Sequence, residues 1–241
     1  MIDGFFNVYK EKGYTSHDVV AIIRKLTGMK TGHTGTLDPD AEGVLPICIG
    51  KATKLSEQIS SSDKQYLCTA KLGITTDTQD ASGAIISEAE VTAGEDDIRA
   101  AVMSFLGEYY QMPPMYSAVK IGGKKLYELA RKGKEVEREK RLVYIHAIEI
   151  LEIVMPGMVK IAGQARNDAN EYTIKMIVDC SKGTYIRTLC NDIGDVLGCG
   201  GHMASLVRTK AGGFDVHDSV KLEVLKQAKA GEELEKFIIP L

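Results

Sequence analysis

Residues 172–180 alternate. Tyr172, Ile174, Met176, Val178 and Cys180 fall on one side of an extended chain, with Thr173, Lys175 and Asp179 on the other. A period of two is the mark of a strand with one buried face, and an amphipathic helix cannot produce it. Residues 66–72 repeat the pattern, with Tyr66, Cys68, Ala70 and Leu72 set against Leu67, Thr69 and Lys71. Residues 145–154 and 158–163 read as two further strands, and the polar run 164–171 as a long hairpin loop. Strand here follows strand as often as it follows helix. An α+β mixed sheet fits this order better than a doubly wound one.

Four helices interleave with these strands. Thr15 or Ser16 caps the first, which carries Val19, Val20, Ile23 and Leu26 as its apolar stripe and ends at Gly28. Thr92 and Glu95 have the spacing of a capping box for a second, with Ile98, Val102, Phe105 and Leu106 directed inward and Gly107 as the stop. A third follows Gly183, with Ile186, Leu189, Ile193 and Leu197 on one face and Gly198 at its end. A fourth begins at Ser219 and carries Leu222 and Leu225.

With 241 residues, 44% of them hydrophobic and 26% charged, the chain has an ordinary globular composition. No composition break marks a linker and no repeat recurs at a solenoid period, so residues 1–241 read as one domain. No stretch approaches the roughly 18 apolar residues of a membrane span, and the charges in MIDGFFNVYKEKG interrupt the apolar run of a signal peptide. A soluble cytoplasmic protein is expected. Cysteine usage agrees: Cys48, Cys68, Cys180, Cys190 and Cys199 are odd in number, form no C-x-x-C pair, and read as small buried hydrophobes. Neither the cysteines nor the five histidines show the spacing of a metal site.

The charge is unevenly spread. The chain sums to −3, yet between Lys120 and Arg141 nine basic residues meet four acidic ones, a local +5. A positive patch on an otherwise acidic protein suits a polyanion, although a solvated helix with pairs such as Glu128–Lys132 accounts for the segment equally well.

The least ordinary stretch runs from Gly32 to Pro46, GHTGTLDPDAEGVLP. Pro39 forces Asp38 out of the helical region, while Gly32, Gly35 and Gly43 allow another group to come close. A preorganised carboxylate is built in this way. The loop lacks the G-K-[ST] of a phosphate cradle and the G-x-S-x-G of a nucleophile elbow. The same composition also suits a structural loop, and the local residues leave both readings open. Arg187, in SKGTYIR at 181–187, stands one turn into a helix where it could grip a carboxylate in two-point fashion, or merely complete the helix surface. Tyr66, in Lys64-Gln-Tyr, opens a strand and on its own reads as core.

Taken together and in order, GHTGTLDPDAEGVLP, the K-Q-Y at 64–66, QMPPMYSAVK at 111–120 and SKGTYIR at 181–187 resemble the TruB family of tRNA pseudouridine synthases. GGKKLYELAR at 122–131 and GCGGH at 198–202 extend the match over nearly the whole chain.

The resemblance implies a pseudouridine-synthase fold, a mixed and largely antiparallel sheet flanked by helices. It implies conversion of a uridine to pseudouridine in the T-loop of tRNA, at position 55, by base flipping, cleavage of C1′–N1 and rejoining at C5. Asp38 becomes the catalytic residue, Tyr66 the base-stacking and proton-handling residue, and Arg187 the partner of Asp38. Tyr185 lines the pocket and His33 lies on the RNA-binding surface. The basic insertion, about residues 111–141, closes over the T-stem-loop, with Lys64, Lys120, Lys124, Lys125, Arg131 and Lys132 as RNA contacts. Neither cofactor nor metal is implied, and a monomer is expected. The family's usual C-terminal RNA-binding (PUA) domain has no counterpart within these residues. A catalytically silent RNA-binding protein and a guide-RNA-dependent enzyme are the alternatives.

Overall fold

In the computed structural model, residues 2–156, 171–228 and 232–241 are described. The expected strand 158–163 and most of the loop after it lie outside them. The chain divides into two compact units, residues 1–67 with 206–241, and residues 68–205.

The first unit opens with β1 (Gly4–Lys10), α1 (Ser16–Thr27), β2 (Thr31–His33) and β3 (Glu42–Ile49), followed by a 3-10 turn and α2 (Ser56–Ser60). β4 (Lys64–Leu72) then carries the chain into the second unit. That unit holds β5 (Ile74–Thr76), β6 (Ile85–Glu88), α3 (Glu95–Met103), β7 (Gly107–Gln111), the small hairpin β8 (Lys120–Ile121) and β9 (Lys124–Lys125), and α4 (Leu126–Ala130). It continues through β10 (Arg141–Val154), β11 (Thr173–Cys180) and α5 (Ile186–Val196). β12 (Gly201–Ala211) returns to the first unit, where β13 (Phe214–Asp215), β14 (Val220–Lys221), α6 (Leu222–Gln227), α7 (Glu232–Glu235) and β15 (Ile238–Pro240) close the chain.

Strand order is β14-β1-β3-β12 in the first unit and β4-β11-β10-β7 in the second. β1 with β14 and β3 with β12 are parallel, whereas β1–β3, β7–β10 and β10–β11 are antiparallel. The α+β mixed sheet, mostly antiparallel, is therefore what the alternation predicts. Ile174, Met176, Val178 and Cys180 are buried on β11, and Cys68, Ala70 and Leu72 on β4. Ile98 and Val102 of α3 and Leu189 and Ile193 of α5 join them in the core. All five cysteines are buried, and none is in a disulfide.

Helix α1 matches its sequence signals: Thr15 and Asp18 form a reciprocal capping box, and Gly28 ends the helix in the left-handed conformation. Three expectations shift. α3 begins at Glu95 rather than near Thr92, because Asp97 accepts from the amide of Gly94 and fixes the start there. Leu106, expected inside, lies beyond the helix end and is exposed. The last expected helix starts at Leu222, not Ser219, because Val220–Lys221 pairs with β1 first.

β3 was not legible as a strand, since Gly43 and Pro46 punctuate it. Its second edge changes partner along its length, pairing with β12 at Glu42–Gly43 and with β2 at Ile47–Ile49. Pro46 falls between the two ladders, where a missing N–H costs least.

Candidate active site

Asp38 sits in the connection between β2 and β3, in the first unit. The hydroxyl of Ser16 donates to the Leu37 carbonyl at 3.1 Å and accepts from the Leu37 amide at 2.9 Å. On the other side, the Pro39 carbonyl accepts from Gly13 N–H at 2.9 Å and from the Lys10 ammonium at 3.2 Å. Lys10 is wholly buried, and that burial pushes its pKa down to about 8 although Glu42, Asp38 and Asp40 pull it upward. The residues flanking Asp38 are thus pinned through the main chain. Its backbone position is set by the surrounding fold as well as by its own loop.

His33 ends β2. Its Nδ1 accepts from Gly35 N–H at 3.2 Å, and its ring lies 5.5 Å from that of exposed His17. Burial, then His17 and Arg208, holds its pKa below the ordinary histidine value, so a neutral ring with Nδ1 as acceptor faces the groove between α1 and β2.

Lys64 and Tyr66 open β4 on its buried face. The strand starts two residues earlier than the alternation at 66–72 suggests. Lys64, expected to contact RNA, has another task. It is buried, and its ammonium donates to the carbonyls of Ser60 and Ser62, each at 2.6 Å, where α2 ends. A cation at a helix C-terminus satisfies carbonyls that the helix itself leaves open.

Arg187 belongs to the second unit, on the first turn of α5. Its side chain is 7% exposed. One guanidinium nitrogen lies 3.6 Å from Asp80, another donates to the Tyr116 carbonyl at 2.8 Å, and the group stands 5.8 Å from the centre of the Tyr185 ring. Asp80 is itself oriented: its other oxygen accepts from Thr78 Oγ1 at 2.7 Å, from Ser82 Oγ at 2.6 Å and from Ser82 N–H at 3.0 Å. Next to it, Gln79 holds φ +64° and accepts from the Thr188 hydroxyl at 2.7 Å. Gln111, buried at the end of β7, pairs with the backbone of Tyr185 through both amide atoms, at 2.8 and 2.9 Å.

Asp80, Gln111 and Arg208 were not singled out by sequence reasoning. Asp80 hides in TTDTQDASG, a composition that reads as an ordinary turn. Gln111 stood inside a recognised motif, and its usable signal was its place two residues before the paired prolines Pro113 and Pro114.

In the basic segment Lys120, Lys124, Arg131 and Lys132 are exposed, while Lys125 is half-buried. Lys125 and Arg131 both approach the Tyr127 ring, each 5.4 Å from its centre. Arg138 anchors the segment to the Pro113 carbonyl at 3.0 Å. Among the described residues no group of histidine, cysteine or carboxylate side chains could hold a metal ion. No described helix is long and apolar enough to cross a membrane.

Comparison with known proteins identifies the family. Residues 24–186 match the model of the TruB family pseudouridylate synthase N-terminal domain, and residues 187–241 that of the tRNA pseudouridylate synthase B C-terminal domain. A tRNA pseudouridine synthase B from Alkaliphilus oremlandii is 50% identical over 243 residues, covering 100% of this chain and 74% of that protein. One from Clostridium kluyveri is 46% identical over 241 residues, covering 100% of this chain and 76% of its own.

Solved structures agree on the fold. An H/ACA RNP bound to a substrate RNA containing 2′-deoxyuridine superposes with a TM-score of 0.68 at 28% identity, over 98% of this chain and 59% of that one. A Cbf5–Nop10–Gar1 complex gives 0.71 at 30% identity, over 98% and 60%. The present chain thus spans about three fifths of those chains. Matched by family models from residue 24 to residue 241, and by relatives up to half identical along its whole length, the chain belongs to the TruB family, enzymes that isomerise uridine in tRNA.

Proposed function

We propose that the chain converts the T-loop uridine at position 55 of tRNA to pseudouridine, with Asp38 as the catalytic carboxylate. The main-chain fixation of the loop on both sides of Asp38 supports this reading most directly, because a carboxylate that must meet one sugar carbon gains most from a fixed position. As the C1′–N1 bond breaks, C1′ becomes electron-poor and Asp38 supplies the negative charge it needs. The uracil turns, C5 bonds to C1′, and the proton on C5 leaves while N1 ends as N–H. Tyr66 stacks on the base and assists that proton's departure. Arg187 is the partner of Asp38, opposing the protonation that a desolvated carboxylate would otherwise undergo.

The target base must leave its stack, at a cost of a few kcal/mol that is lowest in a loop. His33, at the α1–β2 groove, lies on the RNA-binding surface where the base leaves its stack, and Tyr185 lines the pocket. The exposed cations of residues 120–132 bind phosphates, and the folded shape of the RNA supplies most of the recognition. The reaction is an isomerisation without oxidation, and we assign it neither metal nor cofactor. The protein acts as a monomer in the cytoplasm.

Purified protein incubated with an unmodified tRNA transcript should produce pseudouridine at position 55 with no guide RNA, metal or nucleotide added. Loss of activity in a strong chelator, or a strict need for a guide RNA, would refute the proposal. Binding of tRNA without conversion would favour the catalytically silent reading instead.

Neutralising Lys124, Lys125 and Lys132 together should weaken tRNA binding and flatten its dependence on salt, by about one unit of slope for each phosphate left without a cation. A titration series between low and moderate salt measures this directly. An unchanged slope would mean that these lysines only keep the segment solvated.

A further inference from the structure

Every carbonyl from Gly35 to Pro39 accepts a hydrogen bond. Arg208 donates to those of Gly35 and Thr36, Ser16 to Leu37, the Ala41 amide to Asp38, and Gly13 with Lys10 to Pro39. Within this set Arg208 differs from the rest, because it also reaches the far limb of the loop. Its Nε donates to the Val44 carbonyl at 2.8 Å, while its two terminal nitrogens lie 3.4 and 3.3 Å from the carbonyls of Thr36 and Gly35. One planar group therefore spans the loop from before Asp38 to after it.

Arg208 is 2% exposed, and among the described residues its side-chain hydrogen bonds go to main-chain carbonyls. Burying a guanidinium without a carboxylate is an expensive way to tie down a loop, and a neutral hydroxyl or amide would satisfy the same carbonyls at less cost. What a neutral group lacks is the fork: three fixed N–H directions on a rigid plane. The strand beneath fits the loop as closely. Arg208 pairs with Gly43, whose φ is +105°, and a Cβ on Gly43 would fall 2.2 Å from the Arg208 carbonyl oxygen. Side chain and backbone of one residue thus gauge the Asp38 loop against β12.

We propose that Arg208 is a positioning residue for the isomerisation, acting through the backbone of the loop that carries Asp38 and not on the RNA. The inference rests on the assignment of Asp38 as the catalytic carboxylate. A displacement of about 1 Å at a reacting group costs on the order of 100-fold in rate, so a brace of this kind should show in the chemical step and leave binding alone.

The test is single-turnover conversion of an unmodified tRNA transcript at saturating enzyme, with tRNA affinity measured separately. Arg208→Lys keeps the charge and loses the fork. It should convert about 100-fold more slowly per folded molecule, with affinity within about threefold of the parent. Leu225→Ala, a cavity variant in α6, controls for destabilisation and should keep its rate. If Arg208→Lys fails to fold, Arg208→Gln, which retains a planar donor without the buried charge, gives the same reading. A rate within threefold of the parent, an equal loss of rate and affinity, or the same slowing in Leu225→Ala would overturn the proposal. Asp38→Asn is assayed alongside. If it remains active, the assignment of Asp38 has failed; if it is inactive while Arg208→Lys is fast, only the brace has.

Discussion

Asp38→Asn should abolish pseudouridine formation while leaving the fold and tRNA affinity nearly unchanged. The amide has the shape of the carboxylate, and the loop around it is held through main-chain atoms of Leu37 and Pro39 that the substitution does not touch. On the proposed assignment, what is lost is the negative charge that C1′ requires when its bond to N1 breaks. The expected fall in single-turnover rate exceeds about 10⁴-fold, the scale at which an entire catalytic group is removed. Gel-shift or filter binding on the same preparation separates this from a binding defect. Measurable turnover would remove Asp38 from the mechanism and direct attention to Asp40 or Asp192.

Arg187→Lys should be the next most damaging single change. The guanidinium reaches Asp80 with one nitrogen and the Tyr116 carbonyl with another, and an ammonium cannot hold both. Asp80 would then be a largely buried carboxylate short of its partner, and α5 would lose its tie to the segment that follows β7. A rate loss of about 10²- to 10³-fold is expected, in the range of removing one preorganised electrostatic contact from an active site. Thermal denaturation should show a lowered midpoint as well, since the same side chain ties Asp80 to the Tyr116 carbonyl. A variant with full activity would show that the guanidinium geometry is dispensable.

The sequence carried the parts of this molecule whose signals are local. The alternation of β11 marked its buried face, and Thr15 and Gly28 bracketed α1. The features it hid depend on distant partners. β3 looks like a loop until β2 and β12 are seen to share its edge, because only the change of partner makes room for Pro46. Asp80 lies 107 positions before Arg187, and its turn-like surroundings give no hint of a buried ion pair. Arg208 and Gly35 are separated by 173 positions, so the brace is invisible to any window along the chain. Lys64 shows the converse. A lysine at the start of a strand gives no sign of a main-chain role, yet the short helix α2 ends just before it and its carbonyls accept from that ammonium.

The buried thiols give the molecule a built-in record of its own openings. A water-borne alkylating reagent reaches a cysteine only when the structure around it opens, so labelling at each site follows local unfolding, not intrinsic reactivity. Cys48 lies in the first unit and Cys68, Cys180, Cys190 and Cys199 in the second. Mass mapping of alkylated peptides against time would therefore time-stamp each half of the chain separately, without any introduced probe. Bound tRNA would enter the same record as a slower clock at whichever half it holds shut.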